Sequence, residues 1–135
     1  FRNAVAPADE IVLVTTPDES AIQDADRVLG ILEAEGRTAM RLVINRVRPE
    51  LVKRNDMLSP AKIASRLAIP LLGVVDESEA VLVSNGHGRP AAHDEQSLAG
   101  KTYAAMARRL MGQDVPTEPA EERRKSLWQW IRGLW

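Results

Sequence analysis

The chain has 135 residues, 18 Lys+Arg against 19 Asp+Glu, 44% hydrophobic residues and no cysteine. That length suits one domain with a real core. The lack of cysteine excludes a disulfide scaffold and a thiolate zinc site, and a net charge of −1 gives no electrostatic case for nucleic acid.

No apolar run approaches the ~20 residues of a spanning helix. No signal peptide opens the chain, and it starts at Phe1 rather than Met, so the expectation is a piece of something longer. Glu10–Thr15, EIVLVT, is a short β-branched apolar run and predicts a buried parallel strand. Thr16-Pro17-Asp18-Glu19 predicts a helix start, with Thr16 as cap, Pro17 at the first position and Glu19 closing a capping box. Ile22, Ala25, Val28, Leu29 and Leu32 follow at helical spacing, and Gly36 falls where a left-handed cap ends a helix. Met40–Asn45 reads as a second strand, Ser59-Pro60 as the start of a short helix to Leu67, and Leu71–Val75 as a third strand. A weak helix is predicted over Asp76–Ser84, and a longer one capped by Asp94 runs to Leu110 and stops near Gly112. Strands alternating with helices predict an α/β fold with a parallel sheet and helices on both faces.

Ligands of such sheets sit beyond the C-terminal strand ends. Those ends are Thr15–Asp18, Asn45–Pro49 and Val75–Ser78. Asn45 carries both an amide donor and an acceptor suited to a purine edge, although on the residues alone a turn role is the simpler reading of an Asn at a strand end. Gly100-Lys101-Thr102 looks like the end of a phosphate loop, but position 95 is Glu rather than Gly and the triplet falls in a helical pattern. His87 and His93 lack neighbours for a metal site, and no Ser has a His–acid pair close in sequence.

All three tryptophans, Trp128, Trp130 and Trp135, lie in the last eight residues. The final segment, RRKSLWQWIRGLW, has four basic residues and no acid, which leaves 14 basic against 19 acidic residues before it. At 100° per residue, Leu127, Trp128, Trp130, Ile131, Leu134 and Trp135 share one arc. Arg123, Arg124, Lys125 and Arg132 supply the cations. A basic, Trp-rich amphipathic helix suits an anionic membrane surface; a docked terminal helix or a partner groove are the alternatives. The Pro-containing stretch 112–122 reads as a linker. The expected organisation is therefore 1–111 as a folded body, 112–122 as linker and 123–135 as a membrane-targeting helix.

The words EIVLVTTPDESAIQDADRVLGIL, LVINRVRPELVKRNDMLS, IPLLGVV and VLVSNGHGRP, with SLAGKTYAAMARRLMG and the basic tail, resemble the C-terminal half of the MinD family. These are septum-site-determining ATPases of the deviant-Walker P-loop class. The resemblance implies the C-terminal half of a P-loop NTPase sheet. It makes Asn45 and Arg46 nucleotide-base residues, with Asp76 and Glu77 flanking the base. It places Asp24 and Asp26 on a partner-binding helix, and makes the tail a membrane-targeting sequence. It further implies ATP and Mg²⁺ as cofactors, an ATP-dependent homodimer, and the division inhibitor MinC as partner. MinE or another topological factor would be the regulator. The implied location is the bacterial cytoplasm and the cytoplasmic face of the inner membrane. The family's K-G-G-x-G-K-T loop does not occur in the 135 residues, so no ATPase activity is expected of this chain alone. Asp76 stands where the family usually has Pro and Gly86 where Asn is frequent. Asn55 replaces a common Gly, a mild change because Asn tolerates a left-handed backbone. If the sheet is cut, its first strand presents an apolar edge. The rival readings are a partition- or flagellar-placement ATPase of the same class, and a non-catalytic membrane adaptor.

Overall fold

A computed structural model describes residues 2–94 and 96–117. The elements in order are α1 (Arg2–Val5), β1 (Ile11–Thr15), α2 (Glu19–Ala34), β2 (Met40–Val47), α3 (Pro49–Lys53), α4 (Pro60–Leu67), β3 (Leu71–Asp76), α5 (Glu79–Gly86), a 3₁₀ turn (Ala91–His93) and α6 (Leu98–Leu110). The strands form a parallel sheet in the order β1-β2-β3, with Leu13 opposite Leu42 and Leu42 opposite Leu71.

Alternation along the strands assigns the two faces. On one face Leu42, Ile44 and Val74 meet Ile22, Leu29 and Leu32 of α2 and Ile63 and Leu67 of α4. On the other, Val43, Leu72 and Val75 meet Met106 of α6, with Tyr103 beside it. Among the described residues this second layer packs on β3 and β2. Val12 and Val14 of β1 point to that side and are 38% and 58% exposed. Among the described residues β1 pairs with β2 alone, which matches the expected apolar edge.

Helix boundaries follow local chemistry, with two corrections. The cap of α2 is Asp18, not Thr16: its carboxylate accepts from Ala21 N–H at 3.0 Å, while the Thr16 hydroxyl donates to it. The helix therefore begins two residues later than predicted, and Pro17 is a buried loop residue. Likewise α6 is capped by Ser97, whose hydroxyl accepts from Gly100 N–H at 2.9 Å. Asp94 instead accepts from the N–H groups of Gln96 and Ser97 in the preceding turn. Asp76 closes β3 rather than opening the next helix, and α5 starts at Glu79. Gly36 takes a left-handed φ of 74°, as its place at the end of a helix predicts, and Asn55 takes 60°, a conformation that Asn tolerates. Arg66 of α4 reaches Glu19 of α2 at 2.7 Å and lowers its pKa.

Candidate functional site

The parallel topology brings the three strand ends to one pole of the sheet. Thr15 ends β1, Asn45–Val47 ends β2 and Asp76 ends β3. The β2 end is irregular. Ile44 lies opposite Val74 and Val47 opposite Asp76, so Asn45 and Arg46 together face the single residue Val75. This is a bulge, and it puts Arg46 at φ 60°. A left-handed non-glycine residue costs of order 1 kcal/mol. The Asn45 side-chain oxygen accepts the Arg46 N–H at 2.9 Å and helps to hold the kink.

The kink turns two cations toward one carboxylate. Arg46 donates through Nε and Nη2 to Glu77 Oε1 at 3.2 and 3.1 Å. Arg48 Nε lies 3.6 Å from Glu77 Oε2 and donates to Glu50 at 3.2 Å. The Glu50 pKa is lowered, first by its own backbone N–H and then by Arg48. Glu77 is further placed by its backbone N–H, which donates to Val47 O at 2.8 Å. These side chains remain partly exposed, so screening keeps each pair weak. Together they place a set of donors and one carboxylate beside the half-buried Asn45.

Of the residues singled out in the sequence, Asn45, Arg46 and Glu77 come together here, and Asp76 adjoins them at the end of β3 with its Oδ1 buried. Asp24 and Asp26 lie on the exposed face of α2, apart from this cluster. Asp24 pairs with Arg27 at 2.9 Å. Arg48 was not singled out. Its signal was the pairing of two basic residues at one strand end with acidic residues at the next. Gly100 and its neighbours lie inside α6 with the Gly100 amide already donating to Ser97. Arg123, Arg124, Lys125, Leu127, Trp128, Trp130, Ile131, Arg132, Leu134 and Trp135 lie outside the described residues.

The donor set fits the base of a nucleotide: an amide, two guanidinium groups and a carboxylate can satisfy a purine edge. Among the described residues no group of three His, Asp or Glu converges on a metal position, and the described helix carrying the Gly-Lys-Thr triplet offers no free amide cradle. No helix among the described residues is long and apolar enough to cross a membrane.

No family model matches the chain. It is 47% identical over 117 residues to the septum site-determining protein MinD of Synechocystis, covering 86% of the chain and 44% of that protein. Its fold matches the MinD cell division protein of Aquifex aeolicus with a TM-score of 0.84 at 36% identity, covering 87% of the chain and 50% of that structure. The same protein in a MinC:MinD complex matches equally, at TM-score 0.84. The MinD of Pyrococcus horikoshii, complexed with Mg-ADP, shares the fold at TM-score 0.67 and 22% identity. The chain spans about half the length of the curated relatives that it matches.

Proposed function

Because the chain is related to the C-terminal half of the MinD septum site-determining proteins, we propose that it serves as that half of a peripheral membrane ATPase that positions the division septum. The observation that carries this reading is the 0.84 TM-score to the Aquifex MinD, also seen in complex with MinC. In this reading the strand-end cluster holds the adenine end of ATP. The Asn45 amide donates and accepts at the base, Arg46 donates, and Glu77, clamped by Arg46 and Arg48, flanks it. Phosphates and Mg²⁺, which supply positioning and charge neutralisation for phosphoryl transfer, are bound by residues beyond this chain. The exposed α2 face with Asp24 and Asp26 receives MinC or a topological regulator such as MinE. ATP-driven dimerisation doubles the tails, and two weak amphipathic helices on one particle bind an anionic bilayer far more tightly than one.

The test joins partner and membrane. The 135-residue chain should retain MinC on a column and co-sediment with vesicles containing phosphatidylglycerol. The double substitution Trp128→Glu, Trp130→Glu should abolish sedimentation and leave MinC retention intact. Unchanged sedimentation sinks the membrane reading, and absent MinC retention sinks the partner reading.

A further inference from the structure

Outside the strand-end cluster, Arg109 makes an unusual set of contacts. It lies in the last turn of α6. Its Nε donates to Val115 O at 2.7 Å, its Nη1 to Leu72 O at 2.7 Å, and its Nη2 to Pro116 O. One guanidinium therefore joins the helix, β3 and the segment that follows the helix.

Three features of the fold make that reach possible. First, β3 carries a bulge: Leu71 lies opposite Leu42 and Gly73 opposite Val43, so Leu72 is the extra residue, and its carbonyl meets Arg109. Leu72 packs against Met106, and a Cβ on Gly73 would stand 2.5 Å from Met106 Cγ, so both face α6. Second, the missing side chain at Gly73 lets α6 lie close to the strand. Third, the chain reverses after α6. Gly112, at φ 79°, donates its N–H to Arg109 O and Gln113 donates to Arg108 O, which sends residues 113–117 back past Arg109. Arg41 of β2 also donates to Arg109 O at 3.2 Å and pairs with Glu10. The contacts run along the pole where the strands start, roughly 15 Å from the Glu77 end of β3 at about 3.3 Å per residue.

We propose that Arg109 is a positioning residue, a clip that fixes the exit of the C-terminal segment at the strand-start pole, so that this pole faces an anionic lipid surface and the strand-end cluster faces away from it. The orientation rests on the membrane reading of the tail; the clip does not. With the clip closed at Pro116, only residues 117–122 separate it from Arg123, a span of at most about 22 Å. With it open, the tether lengthens to about 35 Å and no longer orients the body.

Two readouts separate the two parts. Asp-N protease cuts before Asp114, and fragment 114–135 reports its access by mass. Arg109→Lys keeps the charge and stem but loses the three-way fork. It should speed that cut at least five-fold while the far-UV circular dichroism of the body stays unchanged. Pro116→Gly, which leaves Arg109 in place and loosens the other side, should do the same if Arg109→Lys fails to fold. An unchanged rate in the folded variants overturns the clip. For orientation, the absence of native cysteine allows a single dye at Thr38→Cys, near the start of β2, or at Lys53→Cys, beyond its end. On phosphatidylglycerol vesicles with a lipid acceptor, the dye at position 38 should transfer at least twice as strongly as that at 53, and Arg109→Lys should erase the difference. Equal transfer in the parent chain, or a difference that survives Arg109→Lys, overturns the orientation. If neither protein binds vesicles, the membrane reading fails, the orientation falls with it, and the protease result alone decides the clip.

Discussion

At Asp18 three donors converge on one carboxylate: the Thr16 and Ser20 hydroxyls and the Ala21 N–H. These bonds, the Thr16 hydroxyl foremost, lower its pKa from 3.8 to about 2. The side chain is exposed, so hydrogen bonding rather than charge burial carries the effect. A carboxylate whose folded pKa is depressed stabilises the fold above its unfolded pKa, and that stabilisation is lost as pH falls through the folded value. Asp18→Ala should therefore cost about 1 kcal/mol in urea unfolding at pH 7. The gap between parent and variant should narrow as pH falls from 4 through 2. A gap undiminished at pH 2 would assign the effect to something other than the carboxylate. The sequence marked this segment as a helix start but assigned the cap to Thr16, because Thr, Asp and Ser can each fill that role. The choice depended on where Pro17 is buried.

At the scale of elements, β1 is the exposed one. Val14 is more than half exposed and β1 pairs on one side only among the described residues. An apolar strand edge of this kind recruits other strands. Replacing Val12 and Val14 by Lys should keep the isolated chain monomeric at concentrations where the parent associates, read by light scattering, with helix content unchanged. Equal association of both would place the sticky surface elsewhere. The strands themselves were legible as short β-branched runs, and β2 extended past its predicted end to Val47. That extension was hidden because Asn45-Arg46 looks like a turn. It is one, in the form of a bulge, and the ladder resumes after it. The short helix α3 was also missed. It has five residues and buries none of them, so no apolar periodicity announces it.

At the scale of the whole molecule, the chain presents its candidate chemistry at one pole and its clip at the other, with the sheet between. In the reading proposed above the strand-end cluster meets the base of the nucleotide and other residues hold its phosphates, so nucleotide binding should require the complementary half. Co-expressed with the N-terminal half of the Synechocystis MinD, the chain should bind a fluorescent ATP analogue, and Asn45→Ala should weaken that binding up to about ten-fold, the worth of one good hydrogen bond. Tight binding by the chain alone would overturn the need for the complementary half, and no effect of Asn45→Ala would remove Asn45 from the nucleotide site.

The sequence by itself determined the α/β class, the order of the main strands and helices, and the left-handed position at Gly36. Each depends on residues close together in the chain: β-branched runs, caps and helical spacing. It also carried the resemblance to the MinD proteins. Only the tertiary structure decided that Arg46 and Arg48 share Glu77 and that Leu72 bulges out to meet Arg109. These contacts join residues 29 to 37 positions apart, and their geometry follows from strand register and from how closely α6 lies on Gly73. No local pattern encodes such distances, because they are set by the packing of the whole sheet.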